Sequence, residues 1–238
     1  MIKKIKLEQF IASQTKYSRR EILALLTDNK IEVNGKIAES LVSEITIKKD
    51  TVTVSGEPVL FQIPFRYYKF YKPNNLLCTL EDPKGRPCVA DYIKHLEPSL
   101  FPVGRLDRLT TGLLIITNDG SWANILTHPS YEVNKVYDVE LDHSLSKNDI
   151  RRLQTGIFLE DGPIRFQQIS LLSKDRLRVT LTEGRNRIIR RSFDFLGYKV
   201  VKLKRLSVGP IQLGKLQKGD IKPLSKGEIT SLSTLTKS

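Results

Sequence analysis

One carboxylate is the most conspicuous candidate for chemistry in this chain. Asp107 lies between Arg105 and Arg108 in the run Gly-Arg-Leu-Asp-Arg-Leu-Thr-Thr-Gly at residues 104–112, which the aliphatic residues Leu113 to Ile116 follow. This order is typical of a charged loop that leads into a buried strand. No histidine, second acid or metal-ligand cluster accompanies it, so the residues alone leave two interpretations open: a salt-bridged turn residue or a catalytic acid.

Positive charge is the second informative feature. The 238 residues hold 39 Lys and Arg against 26 Asp and Glu, a net charge of +13 that indicates an anionic partner, either nucleic acid or an acidic membrane surface. Residues 174–226 alone hold 15 basic and four acidic residues. Between residues 198 and 206, Lys and Arg alternate with apolar residues, which predicts a strand with one wet, cationic face and favours a groove that follows phosphates.

Several classes of protein are excluded. The longest aliphatic run is four residues, Leu113 to Ile116, far short of the roughly 20 that span a membrane. Cys78 and Cys88 are the only cysteines, and with three scattered histidines they form no disulfide framework or zinc set. We therefore expect no metal, no membrane and a reducing cytoplasm.

The first 60 residues have the pattern of a small separate module. Leu7, Phe10 and Ile11 predict a first helix, and Ser18 and Glu21 form a capping box that opens a second helix with an apolar face of Ile22, Leu23, Leu25 and Leu26. Asn34-Gly35 predicts a hairpin turn, and residues 46–54 predict a further strand.

Residues 5–58 resemble the S-four-type RNA-binding domain in the order of these elements. In that family the second helix and the hairpin face the RNA, and the resemblance implies RNA contacts by Lys16, Ser18, Arg19, Arg20 and Asn34. Under a purely structural interpretation, Ser18 would cap the second helix and Asn34 would form the hairpin turn in any case. The implied RNA contacts therefore depend on Lys16, Arg19 and Arg20. Residues 61–66 are interpreted as a linker in which Pro64 blocks regular structure.

From residue 67 the pattern predicts an α+β domain with a mainly antiparallel sheet. Strands are expected at residues 67–73, 136–141, 176–181 and 199–203, and helices near residues 121–126, 147–153 and 187–196. Strands interspersed irregularly with few helices do not fit a repeating βαβ fold.

Several motifs of residues 67–227 closely resemble the ribosomal RNA pseudouridine synthases of the RsuA type. They are Tyr-Lys-Pro at 71–73, Gly-Arg-Leu-Asp at 104–107, Thr-Gly-Leu-Leu at 111–114, Thr-Asn-Asp-Gly at 117–120, Leu-Thr-His-Pro at 126–129, Lys-Val-Tyr at 135–137, Glu-Gly-Arg-Asn-Arg-Ile-Ile-Arg-Arg at 183–191 and Val-Gly-Pro-Ile-Gln-Leu at 208–213. These enzymes detach a uracil in RNA, turn it and rejoin it through carbon, and they often carry an S-four-type module in front.

The resemblance implies a role for three side chains. Asp107 is the catalytic carboxylate, Arg190 is the cation that keeps it ionised, and Tyr137 lies against a flipped base, where stacking recovers part of the energy lost on flipping. By their residue types alone, Tyr137 could belong to the core and Arg190 could be one phosphate contact among many. Further RNA contacts are predicted at Arg105, Arg185, Arg187, Arg191, Lys202, Lys204 and Arg205.

The sequence therefore predicts an S-four-type module at residues 1–60, a linker at 61–66 and a pseudouridine synthase domain at 67–238. The predicted enzyme needs no cofactor, acts on ribosomal RNA or a pre-ribosomal particle, and is monomeric and cytoplasmic. Residues 155–163 and 209–213 resemble the large-subunit branch of the family more than the small-subunit branch, which implies 23S rather than 16S RNA as the substrate. The alternative is a non-catalytic RNA-binding or ribosome-assembly factor that retains the fold. DNA binding is not favoured, because the sequence contains no helix-turn-helix or zinc-binding motif.

Overall fold

Strands outnumber helices throughout the chain. The computed structural model describes residues 4–96 and 99–232, and over these residues the chain forms seventeen strands and seven α-helices. The strands are β1 (Lys4–Lys6), β2 (Ile31–Val33), β3 (Lys36–Ile37), β4 (Glu44–Thr46), β5 (Val52–Val54), β6 (Glu57–Pro58), β7 (Tyr67–Lys72), β8 (Phe101–Val103), β9 (Thr111–Thr117), β10 (Lys135–Leu141), β11 (Ile157–Leu159), β12 (Gly162–Ile164), β13 (Gln168–Leu171), β14 (Arg176–Leu181), β15 (Val200–Val208), β16 (Ile211–Gln212) and β17 (Ile221–Pro223).

The helices are short. They are α1 (Leu7–Gln14), α2 (Arg19–Thr27), α3 (Ala90–Ile93), α4 (Gly120–Thr127), α5 (Lys147–Thr155), α6 (Ile188–Phe195) and α7 (Lys226–Ser231). Within the described residues, none of them has the length and apolar character that crossing a membrane requires.

Backbone contacts divide the chain into two units. The first takes in the described residues of 1–67, 93–101 and 117–123, and the second those of 68–92, 102–116 and 124–238. In the first unit, β1 pairs with β4, and β3, β2, β5 and β6 form a four-stranded sheet in that order. Its core packs apolar residues of both helices, among them Leu7, Ile11 and Ile22, against apolar residues of the strands.

The capping box at the start of α2 is confirmed. The Ser18 hydroxyl accepts the amide hydrogen of Glu21, and the Glu21 carboxylate accepts that of Ser18. The predicted apolar face is wrong at Leu23, which is 57% exposed, while Ile22 is fully buried. The reason is the helical period: residues three and four positions beyond Ile22 share its face, and the next residue along the chain does not.

The predicted continuous strand at residues 46–54 is also wrong. A tight turn divides it into β4, which pairs with β1, and β5, which pairs with β2. Lys48 adopts the left-handed conformation at φ 67°, and the Asp50 carboxylate accepts the Thr46 amide at 2.6 Å, which closes the turn. The three charged residues between Ile47 and Thr51 supply this turn, because they interrupt the apolar alternation that a strand requires.

Residues 61–66 form neither helix nor strand, but they are held by hydrogen bonds within the first unit. The Gln14 side chain accepts the amides of Gln62 and Ile63 and donates to the Ile63 carbonyl. On the other side, the Asn118 side chain accepts the Arg66 amide at 2.8 Å and donates to Pro64. The segment is therefore fixed by two amide side chains.

The second unit is organised by one large sheet. Its strands follow the order β13, β14, β10, β15, β9, β7 and β17, with β16 beside β15 and β8 beside β9. Strand β10 is antiparallel to both β14 and β15, whereas β15 and β9 run parallel. The mainly antiparallel pairing confirms the predicted α+β class.

The parallel contact between β9 and β15 depends on a glycine. Gly112 lies opposite Arg205 at φ 105°, and a Cβ atom added to it would lie 2.2 Å from the Arg205 carbonyl oxygen. No side chain fits at that distance, so the two backbones can approach only because residue 112 has none.

We expect Gly112→Ala to lower the free energy of unfolding by about 3 kcal/mol or more, since a backbone clash adds to the strain of positive φ. The matched control is Gly214→Ala, at φ 61° with no atom within 4 Å of the added Cβ. This variant introduces the strain of a positive φ without a backbone clash. We therefore expect it to lower the free energy of unfolding by about 1–2 kcal/mol. Urea unfolding of both variants measures the difference, and equal losses would contradict the role given to Gly112.

Candidate active site

The cleft that contains Asp107 lies in the second unit, over the sheet face to which Tyr137 and Leu203 contribute. Its volume is about 610 Å³, within the range of small-ligand pockets. Its lining carries an excess of positive charge, with six basic residues against two acidic ones: Arg105, Arg108, Lys135, Arg185, Arg187 and Arg205 against Asp107 and Glu183. Such a cleft attracts a polyanion.

The loop that carries Asp107 is fixed through its backbone. The Asp107 carbonyl accepts the Thr110 amide at 2.9 Å, and the Arg108 carbonyl accepts the Asn75 amide at 2.8 Å. The ammonium group of Lys72 donates to the carbonyls of Arg108 at 3.2 Å and Thr110 at 2.8 Å. Asp107 is half-buried and faces the cleft on a loop whose backbone cannot shift freely.

Lys72 is an unusual lysine because its relative exposure is 0%. Burial lowers the pKa of Lys72 to about 8, and the interactions with Cys78 and Asp107 act in the opposite direction. The ammonium group also donates to the Pro73 carbonyl at 3.0 Å, so three acceptors compensate part of the cost of its burial. Lys72 is therefore a positioning residue for the Asp107 loop.

Tyr137 is central in the cleft. It lies on β10 between Val179 of β14 and Arg205 of β15, is only 8% exposed, and lines the cleft. Among the described residues, its hydroxyl has no hydrogen-bond partner. The ring is thus held by the sheet, and the hydroxyl remains available to a bound molecule.

Lys135 lies two positions before Tyr137 and also lines the cleft. Its ammonium group donates to the carbonyls of Val133 and Thr182, at 3.1 and 2.8 Å. Burial, with a further contribution from Arg205, lowers the pKa of Lys135 to about 8.

Arg190 is close enough to sense the charge of Asp107 but does not contact it. Within the described part of the chain, no hydrogen bond or ion pair joins the two side chains; Arg190 donates instead to the Val200 carbonyl at 2.8 Å, and its buried Nε has no partner. Burial lowers the pKa of Arg190, as does the neighbouring Arg187, while Asp107 acts in the opposite direction. The cleft wall at this point is formed by Ile188 and Ile189.

The arginines around α6 differ in their surroundings. Arg187 precedes the helix in the left-handed conformation and is exposed at the cleft. Arg185 pairs with Glu183 and Asp161, and Arg191 pairs with Asp161 at 2.6 Å. These two ion pairs with Asp161 fix the β11–β12 hairpin to the start of α6. Their predicted RNA contacts stay predictions.

The expectation of one wet, cationic face on β15 is wrong. Arg205 is buried and donates its Nε hydrogen to the Leu113 carbonyl, on the same face as Leu203, whereas Val201 is 54% exposed. Lys202 and Lys204 lie on the opposite face, near Glu140 and Asp138. Because successive residues of a strand point to opposite faces, the cations of this segment cannot form one groove.

In the first unit, residues 16–20 form an exposed stretch. Arg19 pairs with Glu8 at 3.2 Å, and Ser18 caps α2. The Asn34 side chain accepts the Thr51 amide and donates to Asp50, so it stabilises the hairpin. Lys16 and Arg20 are exposed.

With the geometry established, similarity to known proteins decides the family. A family model described as RNA pseudouridylate synthase matches residues 66–194. Over 236 residues the chain is 37% identical to ribosomal large subunit pseudouridine synthase B of Bacillus subtilis, with 97% of this chain and 96% of that protein covered. This chain belongs to the RNA pseudouridylate synthase family.

Two further relatives agree. The Yersinia pestis protein named ribosomal large subunit pseudouridine synthase B is 38% identical over 220 residues, which cover 88% of this chain and 69% of that protein. A crystal structure of a pseudouridylate synthase matches with a TM-score of 0.69 and 28% identity, covering 96% of this chain and 99% of that one. The predicted pseudouridine synthase is confirmed: the chain is an isomerase that acts on RNA.

For an RNA pseudouridylate synthase, the cleft offers suitable chemistry. It presents one half-buried carboxylate on a fixed loop, an aromatic ring held by the sheet, and a cationic lining. A preorganised carboxylate can act on a flipped nucleotide while cations hold the flanking phosphates. Among the described residues, no group of three or more His, Cys, Asp or Glu is placed to hold a metal ion.

The sequence interpretation missed Lys72 as a site residue. A signal was present: Phe70 and Lys72 share one face of β7, Phe70 is fully buried, and a lysine on a buried face needs polar partners. Arg205 was predicted, but as a surface contact, because the alternation did not reveal which face was buried.

We expect Lys72→Met to lower the free energy of unfolding by about 2–4 kcal/mol, because methionine fills similar space but leaves the Arg108 and Thr110 carbonyls without this donor. The looser loop should lower kcat more than it changes KM. Lys69→Met is the matched control on the same strand, since Lys69 pairs with Glu228 rather than with the loop. An unchanged kcat for Lys72→Met would contradict the positioning role.

Proposed function

We propose that this enzyme isomerises a uridine of ribosomal RNA to pseudouridine, with large-subunit RNA as its substrate. The observation that carries the proposal is the identity of 37% to the Bacillus subtilis protein, whose name specifies the large subunit. The alignment covers 97% of this chain, so it includes the front part as well as the catalytic cleft. Substrate choice in such an enzyme depends on both.

In the proposed reaction, Asp107 is the catalytic carboxylate and acts at the ribose or the base of the flipped uridine. Tyr137 lies against the base, and its available hydroxyl can help to remove the last proton. Arg190 acts on Asp107 through its charge at a distance, because its guanidinium donates to Val200. The exposed basic residues of the cleft, Arg105, Arg108 and Arg187, hold the phosphates on either side of the target.

The proposed organisation keeps an S-four-type RNA-binding module at residues 1–60, a connecting segment at 61–66 and the catalytic domain at 67–238. An exposed basic stretch at residues 16–20 and a hairpin held by Asn34 support an RNA-facing surface. Of the predicted contacts, Lys16 and Arg20 are the most available, since Arg19 is paired with Glu8.

We further infer that the enzyme works as a monomer on free ribosomal RNA or on a pre-ribosomal particle. A ribosomal RNA substrate supports a cytoplasmic location, and RNA binding accounts for the excess of basic residues without a membrane surface.

The decisive variant is Asp107→Asn. We expect pseudouridine formation on large-subunit RNA transcripts to fall by about 10⁴-fold or more, because the amide cannot act as a nucleophile, while the RNA dissociation constant changes little. Chemical mapping of pseudouridine and filter binding measure the two effects. Asp194→Asn, an exposed carboxylate of α6, is the control and should retain the wild-type rate.

If Asp107→Asn formed pseudouridine as fast as the wild type, the catalytic assignment would be refuted. If the wild type bound ribosomal RNA tightly and modified none of it, the alternative of a non-catalytic assembly factor would replace the proposal.

The front module is best tested by substitution. Deleting residues 1–60 would expose partners of the first unit, since Gln9 bonds Ser121 and Ser99 bonds the Thr15 carbonyl.

We expect Lys16→Ala/Arg20→Ala to weaken RNA binding about tenfold and to reduce the slope of log affinity against log salt by about 1.4. The rate of pseudouridine formation at saturating RNA should stay unchanged. Lys6→Ala/Lys49→Ala removes the same charge from other exposed positions of the unit, and an equal loss there would contradict a specific surface.

A further inference from the structure

The catalytic sheet has a second polar surface on the face opposite Asp107. Along β10, Lys135 and Tyr137 line the Asp107 cleft, whereas Val136 between them lines a different cleft. On β15, Leu203 and Arg205 line the first cleft and Lys204 the second. The two clefts are therefore on opposite faces, as the period of two in a strand requires.

The second cleft, here called the rear groove, has a volume of about 650 Å³. Its lining includes a series of hydrogen-bonding side chains that cross four strands: Gln168, Ser170, Arg178, Thr180, Lys204 and Gln212. Amide, hydroxyl and cationic groups of this kind contact sugars and phosphates without reading sequence.

The charge of the rear groove is not balanced. Asp138 lies between Arg178 of β14 and Lys204 of β15 in the strand register. Arg176 already binds Asp138 with two hydrogen bonds, of 2.8 and 2.6 Å, and the Lys204 ammonium is 4.0 Å from the same carboxylate. Three cations thus surround one anion, and Arg178 and Lys204 are in excess.

We propose that the rear groove binds the phosphodiester backbone of an RNA segment away from the target uridine, with Arg178 and Lys204 contacting separate phosphates. This proposal rests on the RNA substrate of the proposed function. The enzyme would then hold its substrate on both faces of one sheet, with chemistry on one face and sequence-independent binding on the other.

The spacing favours a polymer over a single phosphate. Arg178 and Lys204 lie two strand spacings apart, about 9–10 Å, and the Asp138 carboxylate stands between them. A lone phosphate bound by both cations would have to approach that carboxylate, which repels it. Two phosphates of one backbone can instead lie on either side of Asp138, each near one cation.

The test compares Arg178→Ala/Lys204→Ala with two RNAs: the full-length large-subunit transcript and the isolated stem-loop that carries the modified uridine. We expect the dissociation constant of the full-length transcript to rise about tenfold more than that of the stem-loop. The salt slope for the full-length transcript should fall by about 1.4, the value for two lost phosphate contacts to single-stranded RNA. Arg178→Lys/Lys204→Arg keeps the charges and should restore both quantities.

Lys84→Ala/Lys147→Ala is the matched control, because both lysines are exposed in the second unit and outside either cleft. If it weakens full-length binding as much as Arg178→Ala/Lys204→Ala does, the rear groove has no special role and the proposal is overturned.

A second measurement uses the wild-type protein and so does not depend on how variants fold. Acetylation of Lys204 is followed by mass spectrometry alone, with full-length transcript, with inorganic phosphate and with uridine monophosphate. Protection by the transcript only supports the proposal. Unchanged reactivity with the transcript overturns it, and equal protection by either small phosphate shows that the groove binds free phosphate instead of RNA.

The same reaction mixtures are assayed for pseudouridine, which separates the two proposals. A transcript that is modified while Lys204 stays reactive refutes the rear groove alone. A transcript that is never modified refutes free large-subunit RNA as the substrate.

Discussion

The ammonium group of Lys72 is the interaction on which the active site depends. It is fully buried at the end of β7 and donates to backbone carbonyls on both sides of Leu109, just after Asp107. A buried cation is costly unless it is hydrogen-bonded and balanced by charge, and here the carbonyls supply the bonds while Asp107 supplies part of the charge. The Asp107 carboxylate therefore also stabilises the group that positions its loop.

The sheet then determines how the remaining charge is distributed. Strand β10 has a neighbour on each side, and its alternation assigns Tyr137 to the catalytic face and Asp138 to the rear face. Gly112 permits the close approach of β9 to Arg205, whose guanidinium then bonds Leu113 and stays beside Tyr137. The basic residues of β15 thus lie on two surfaces, the Asp107 cleft and the rear groove, because successive side chains of a strand point to opposite faces.

Local signals in the sequence predicted local structure well. The capping box at Ser18 and the strand at residues 176–181 depend on neighbouring residues, and both are confirmed. The motif at residues 104–107 identified the carboxylate that faces the cleft. The burial of Lys72 was indicated only by its sharing a face with Phe70, whereas the burial of Arg205 could not be predicted, because it depends on which strands flank β15, and β9 is distant in sequence. The lack of a hydrogen bond between Arg190 and Asp107 was equally hard to predict, because it depends on how α6 packs and on the Val200 carbonyl, which accepts from the guanidinium.

A family motif is not by itself a catalytic motif, and residues 117–120 show the difference. Thr117, Asn118 and Asp119 are almost fully buried, and their side chains bind protein groups. Thr117 donates to the Arg66 carbonyl, Asn118 binds the backbone on both sides of Phe65, and Asp119 accepts from Tyr67 and from the first amides of α4. These contacts fix residues 64–67 or start a helix. The motif at residues 104–107 is opposite in character: the Asp107 carbonyl and the Leu106 amide are hydrogen-bonded within the protein, while the Asp107 side chain faces the cleft. Among the described residues the Asp107 carboxylate accepts no hydrogen bond, so it remains available to a bound molecule.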